Sequence, residues 1–273
     1  MIYDMHCHLD FSPEGVHAAQ QLHGRVAAVS NTVTPEGFQA AADAFAASGN
    51  VHIGLGLHPW QAEAPDFARQ LEAFEALAPQ CPFVGEVGLD FSARRTATRE
   101  QQCAAFDRVV RACTEPCAAA SPSAGGIVSI HAVQAVDQVI DAFDRVGALG
   151  SLTEPASVGG RALVLHSFNG TSDQLHRAVR AGFFFSVGPR LLATKRGRAY
   201  VRAIPDSRLL LETDLPAHAG EAFSADRWLD ALEGALHALA DARGESPDAV
   251  AATVAQTSER LFGASPTASQ RHG

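Results

Sequence analysis

Paired cysteine spacing is what this chain most plainly lacks. Its five cysteines stand at 7, 81, 103, 113 and 117 with no CxxC among them, an odd set that excludes a complete disulfide framework and favours a reducing, cytoplasmic setting. Cys113 and Cys117 flank Pro116 with no second ligand pair nearby, so packing is expected of them rather than a structural zinc. Nowhere do about 18 uninterrupted apolar residues occur, which excludes a membrane-spanning helix. The N-terminus has neither a basic start nor a long apolar stretch, so no export signal is expected. Positive charge is scarce too. The formal net charge is −9, which gives no global attraction for a polyanion, so nucleic acid would have to be drawn by bound cations and local arginines.

What the chain does have is enough apolar material for a large core, 47% hydrophobic against 19% charged. Its 273 residues could make two average domains, yet an α/β barrel uses about 250 as one. The order of elements decides for the barrel. Strands are expected at 2–5, 25–30, 51–57, 83–89, 127–130, 162–165, 182–187 and 209–216, the last stopping abruptly at Asp214. Between them helices are expected at 13–23 with Ser12 as cap, 34–48, 61–78, 100–113, 133–146 and 172–181, and after them at 224–242 and 247–262. Loops are expected at 118–126, at 147–161 with its four glycines and a proline, and after the seventh strand. Eight strands alternating with helices predict a single (β/α)8 TIM barrel over residues 1–263, followed by a flexible tail at 264–273.

Polar residues collect where these apolar strands end. His6 and His8 leave the first strand; because strand side chains alternate faces, both imidazoles point one way and Cys7 the other, so one cation can be reached by both. Glu86 is a lone acid in an apolar run, and a buried carboxylate without a partner is costly enough that a cation is its natural companion. His131, His166 and Asp214 close three further strands. Four histidines and two carboxylates exceed what one tetrahedral ion needs and suit two divalent cations, Mg, Mn or Zn, sharing a carboxylate and a water. Such a pair implies hydrolysis, with Asp214 holding an ion and taking the proton of the water. His58 is expected as a substrate contact, whereas His52 belongs to packing, and His17 and His23 to a solvated helix face. The cluster Lys195-Arg196-Gly197-Arg198 follows the seventh strand, where barrels often bind phosphate.

Together, His6-Cys7-His8, Gly-Leu-His-Pro at 56–59, Gly-Glu-Val-Gly-Leu-Asp at 85–90, Ile130-His131, His-Ser-Phe-Asn-Gly at 166–170 and Glu-Thr-Asp-Leu-Pro at 212–216 resemble the TatD family of metal-dependent deoxyribonucleases, in order along the chain to Gly263. The resemblance implies a barrel of the amidohydrolase superfamily that acts on DNA, single strands or 3' ends. Carried over position by position, it implies that His6, His8 and Asp214 hold one ion and His131 and His166 the other, with Glu86 bridging. Lys195 matches a recurrent family lysine, and phosphate contact is implied for it. Two departures stand out: Val133 lies where the family usually has an arginine, and Trp60 where it often has a second histidine, a change that could offer a stacking face to a base. Two rival readings remain at this level: a hydrolase of a C–N or ester bond in a small molecule or aminoacyl ester, and a metal-containing binding barrel without catalysis. Glu86, in place of the carboxylated lysine of many C–N hydrolases of the superfamily, favours the nuclease.

Overall fold

The computed structural model describes residues 1–117, 119–120 and 125–263; the expected tail and part of the loop at 118–126 lie outside the described residues. Among the described residues nine strands form, β1 Ile2–Cys7, β2 Val26–Asn31, β3 Val51–Leu57, β4 Phe83–Asp90, β5 Ile127–Val133, β6 Ser157–Val158, β7 Arg161–His166, β8 Phe184–Val187 and β9 Leu209–Leu211. All but β6 run parallel in the order β1-β2-β3-β4-β5-β7-β8-β9. The ring closes beyond β9, where Asp214 N–H donates to His6 O at 3.0 Å and His8 N–H to Leu215 O at 2.8 Å. This is the barrel that the alternation of elements predicts.

Ten helices accompany the strands among the described residues: α1 Gly15–Gln21, α2 Pro35–Phe45, α3 Phe67–Leu77, α4 Arg99–Thr114, α5 Val136–Asp144, α6 Ser172–Arg180, α7 Pro189–Leu192, α8 Lys195–Ala203, α9 Ala225–Arg243 and α10 Pro247–Phe262. The strand residues divide with period two between two cores. Phe83, Ile127, Val164, Phe184 and Leu210 face inward with Tyr3 and Met5, while Val84, Val128, Leu163, Phe185 and Leu211 face the helices. The end of α10 plugs the bottom of the barrel: Phe262 meets Tyr3 edge to face at 5.5 Å, and His52 stacks on Phe83 at 4.0 Å with its Nε2 at 3.1 Å from Phe262 O. His52 is a packing residue, as expected.

Four local expectations change. The helix expected over 61–78 is a 3-10 turn, Pro59–Glu63, and then α3, because Pro65 disfavours helical geometry in the residue before it. Helix α1 begins at Gly15, and the Ser12 hydroxyl bonds to the Glu14 carboxylate instead of capping the helix. The loop at 147–161 contains β6, which pairs antiparallel with β7 through Gly159-Gly160, two residues at φ +55° and +87° as a tight hairpin turn requires. The segment after β8 is not a plain loop but two helices, α7 and α8.

The ladder is irregular where the chemistry-bearing residues lie. Register shifts fall between Asp4 and Cys7, between Leu55 and Leu57 and between Val84 and Val87. These bulges span His6 and Glu86, and bulges beside a site re-aim side chains. Gly56 shows why the third strand yields there: a Cβ on it would stand 1.7 Å from Thr32 O.

Candidate active site

The six residues singled out at the strand ends converge at the carboxyl-terminal mouth of the barrel. His6 Nε2 and His8 Nε2 are 3.3 Å apart. Behind them, the His8 Nδ1–H donates to Asn31 O at 2.6 Å, so Nε2 is the nitrogen that faces the site. His6 Nδ1 meets Ser129 Oγ at 2.7 Å and Asn31 Nδ2 at 3.2 Å. Its ring stacks on that of His166 at 3.9 Å.

Glu86, buried at 3% exposure, divides its carboxylate between two sets of nitrogens. Oε2 lies 3.6 Å from His6 Nε2 and 3.3 Å from His8 Nε2, and Asp214 Oδ1 completes that side at 3.9 and 3.4 Å from the same atoms. Oε1 lies 2.6 Å from His131 Nδ1, 2.8 Å from His166 Nε2 and 3.3 Å from His58 Nε2. Among the described residues three overlapping groups lie close enough together to share a cation: His6, His8 and Asp214; His6, Glu86 and His166; and His58, Glu86 and His131, the last only with the His58 Nε2 proton removed. Imidazole and carboxylate donors of this kind suit first-row divalent ions, and the donor set fits the expected metal.

His58 differs from the other imidazoles. Its Nδ1 accepts the Trp60 N–H at 3.2 Å, so its proton sits on Nε2, which is turned to Glu86. Burial, against the pull of Glu86, lowers its pKa and keeps it neutral. Such a ring offers the site a hydrogen-bond donor rather than a lone pair.

The remaining charges are set by burial and by one another. Burial, then His166, brings His6 down to about 3. At His131 burial is outweighed by Asp90 and Glu86, which raise it to about 9, and at His8 by Asp214 and Glu86, which hold it well above the ordinary range. Glu86 and Asp214 are penalised by burial but drawn well below the usual carboxylate range by the surrounding imidazoles. Glu212 goes the other way: burial, then the Asp214 charge, push it well up, and Ser186 donates to its Oε2.

Over the carboxylates opens a cavity of about 420 Å³ whose walls include Phe11, Trp60, Phe168, Arg190, Arg196 and His218. Val133 also lines it. Arg190 Nη1 lies 3.4 Å from Asp214 Oδ2. Lys195, the cation singled out by sequence, is exposed at the start of α8 and is not part of this lining; the arginines at 190 and 196 are. Trp60 stands at the mouth, 49% exposed.

Sequence reading missed the groups that stand behind the site residues. Asp4 accepts from Thr213 Oγ1 at 2.6 Å and Trp228 Nε1 at 2.7 Å, Asp90 lies 3.5 Å from His131 Nε2, and Glu212 lies 3.8 Å from His166 Nδ1. A signal was available: 4, 6 and 8, 86 and 90, 129 and 131, and 212 and 214 each share a strand-face parity.

A model of the family described as TatD related DNase matches residues 3–263. Human deoxyribonuclease TATDN3 is 25% identical over 218 residues, 76% of this chain and 73% of that protein. The 3'-5' ssDNA/RNA exonuclease TatD of Dickeya dadantii strain 3937 is 31% identical over 169 residues, 59% of this chain and 55% of that one. Among solved structures, YjjV, a TatD homolog from Escherichia coli K12, has a TM-score of 0.74 at 22% identity, covering 96% of this chain and 97% of that one, and so shares the fold. Because the family match runs from the first strand to the end of the last helix and takes in every donor at the barrel mouth, the chain belongs to the TatD-related DNase family and is a hydrolase of ester bonds of that kind.

Proposed function

We propose that this protein hydrolyses phosphodiester bonds of DNA, trimming single strands from the 3' end with two divalent cations. The observation that carries the reading is the divided carboxylate of Glu86, one oxygen toward His6 and His8 and the other toward His131 and His166. In this reading His6, His8 and Asp214 would hold one ion and His131 and His166 the other, with the Glu86 carboxylate available to both. Divalent cations bound there would supply a water of lowered pKa and positive charge for the phosphoryl oxygens. Asp214 accepts the proton of the attacking water on a carboxylate oxygen, and His58 donates its Nε2–H to a phosphoryl oxygen. Arg190 and Arg196 meet the phosphates from the cavity wall in place of the arginine absent at Val133, with Lys195 farther out. Trp60 offers an indole face to the terminal base. The 3' polarity is supported by the Dickeya dadantii relative, whose name specifies it.

The test is end-labelled single-stranded DNA incubated with the protein and Mg²⁺ or Mn²⁺, beside an EDTA control and Asp214→Asn. Metal-dependent shortening from the 3' end is expected, with turnover in the variant reduced about a hundredfold or more, as for loss of a positioned acid-base group. Turnover near wild type in Asp214→Asn would remove Asp214 from its role. Intact DNA with metal bound would favour the ester or C–N hydrolase reading, for which the apolar wall at Val133 is the supporting observation.

A further inference from the structure

Trp60 is half exposed, yet its Nε1–H donates at 2.7 Å to Oδ2 of Asp90, a carboxylate only 4% exposed. The same oxygen lies 3.5 Å from His131 Nε2, while the other nitrogen of that ring, Nδ1, faces Glu86 Oε1 at 2.6 Å. Asp90 has little else to hold its outer oxygen: Ser92 N–H donates to Oδ1 at 2.9 Å, and Gln102 Oε1 accepts the Asp90 backbone N–H at 2.8 Å. The indole is itself pinned from outside, with the Arg95 guanidinium 5.2 Å over its ring and Arg95 paired to Glu63.

An imidazole that presents one nitrogen to a cation takes its orientation and basicity from whatever its other nitrogen meets. For His131 the group facing that nitrogen is the Asp90 carboxylate, 3.5 Å away and at ion-pair rather than hydrogen-bond distance, and the group that holds Asp90 in place is Trp60. We propose that Trp60 is a positioning residue of the metal site: its indole N–H keeps Asp90 turned toward His131 Nε2, so a ring at the mouth of the cavity sets how firmly His131 holds its cation. The inference rests on the two-ion reading above and deepens it. A tryptophan that merely packed on the rim would be replaced without loss by phenylalanine, which keeps an aromatic ring and lacks the donor.

The experiment is a calorimetric titration of DNA-free protein with Mn²⁺, comparing wild type, Trp60→Phe, Asp90→Asn and the double variant. The binding event read is the one that disappears in His131→Ala. Trp60→Phe is expected to weaken that event about tenfold, the lower end of what loss of an outer partner of a metal ligand does, and to leave the other event unchanged. Because Trp60 acts through Asp90, the double variant should bind no more weakly than Asp90→Asn alone. Wild-type affinity in Trp60→Phe, or additive losses in the double variant, would overturn the proposal while leaving the two-ion reading intact. A wild type that binds fewer than two Mn²⁺ ions would overturn both together.

Discussion

Asp214 adopts φ +57°, in the left-handed region that few non-glycine residues enter, and its N–H is tied to His6 O at 3.0 Å. Ser167, one residue past His166, has φ +45°, and Gln134, three past His131, has φ +52°. Each such residue costs roughly 1–3 kcal/mol and is held by its surroundings, a pattern common at sites where side chains must be aimed. Asparagine tolerates this backbone, which is why Asp214→Asn separates chemistry from folding: its melting temperature should stay close to wild type while turnover falls. Protonation at the same site yields a second prediction. Near neutral pH the cation-free protein keeps His131 protonated, its pKa raised to about 9, and His8 likewise, so a bound cation must displace those protons. Mn²⁺ affinity should therefore rise with pH from 6 toward about 9, by about tenfold per unit for each proton displaced, and binding should release acid into weakly buffered solution. An affinity flat over that range would show that His8 and His131 are not ligands.

At the scale of elements, the sequence cues that worked were local and chemical. Thr34 was legible as the start of α2, and its Oγ1 accepts Gly37 N–H at 3.0 Å. Thr34→Ala should cost about 1 kcal/mol, seen as a fall of about 2–4 °C in melting temperature, without change in turnover. Gly88 makes the opposite case. It lies between Glu86 and Asp90 on β4 at φ +146°, and a Cβ there would stand 2.0 Å from His131 O. Gly88→Ala should destabilise by about 3 kcal/mol or more and displace His131, lowering activity and melting temperature together. Periodicity marked β4 as a strand but carried no sign of that contact, because β5 approaches it only in the assembled sheet. The same holds for β6, which exists through its pairing with β7, whereas the break in the helix expected at 61–78 follows from Pro65, a local cue in the sequence.

At the scale of the molecule, charge and fold oppose each other. The chain carries −9 overall, yet Arg190 and Arg196 reach the cavity from the segment after β8. If those two arginines are the main phosphate contacts, the affinity for single-stranded DNA should fall with salt at a log–log slope of about −1.4, roughly −0.7 for each phosphate. Arg190→Ala and Arg196→Ala should each flatten the slope by about 0.7 and raise KM. A much steeper slope would point to a broader cationic surface than this chain offers.

The sequence by itself determined the class of fold and the strand ends that bear His6, His8, Glu86, His131, His166 and Asp214, and it holds no apolar run long enough for a membrane-crossing helix, none being found among the described residues. Those properties follow from alternation and spacing along one chain, which a linear reading captures. Tertiary structure decided the rest. It turned His58 inward as a donor beside Glu86, set Asp90, Ser129 and Glu212 behind the imidazoles, and brought Arg190 and Arg196 rather than Lys195 to the cavity wall. The physical reason is the closure of the barrel. Which polar group stands behind a given histidine depends on bulges, on register between strands far apart in sequence, and on the helices after β8, none of which has a period along the chain.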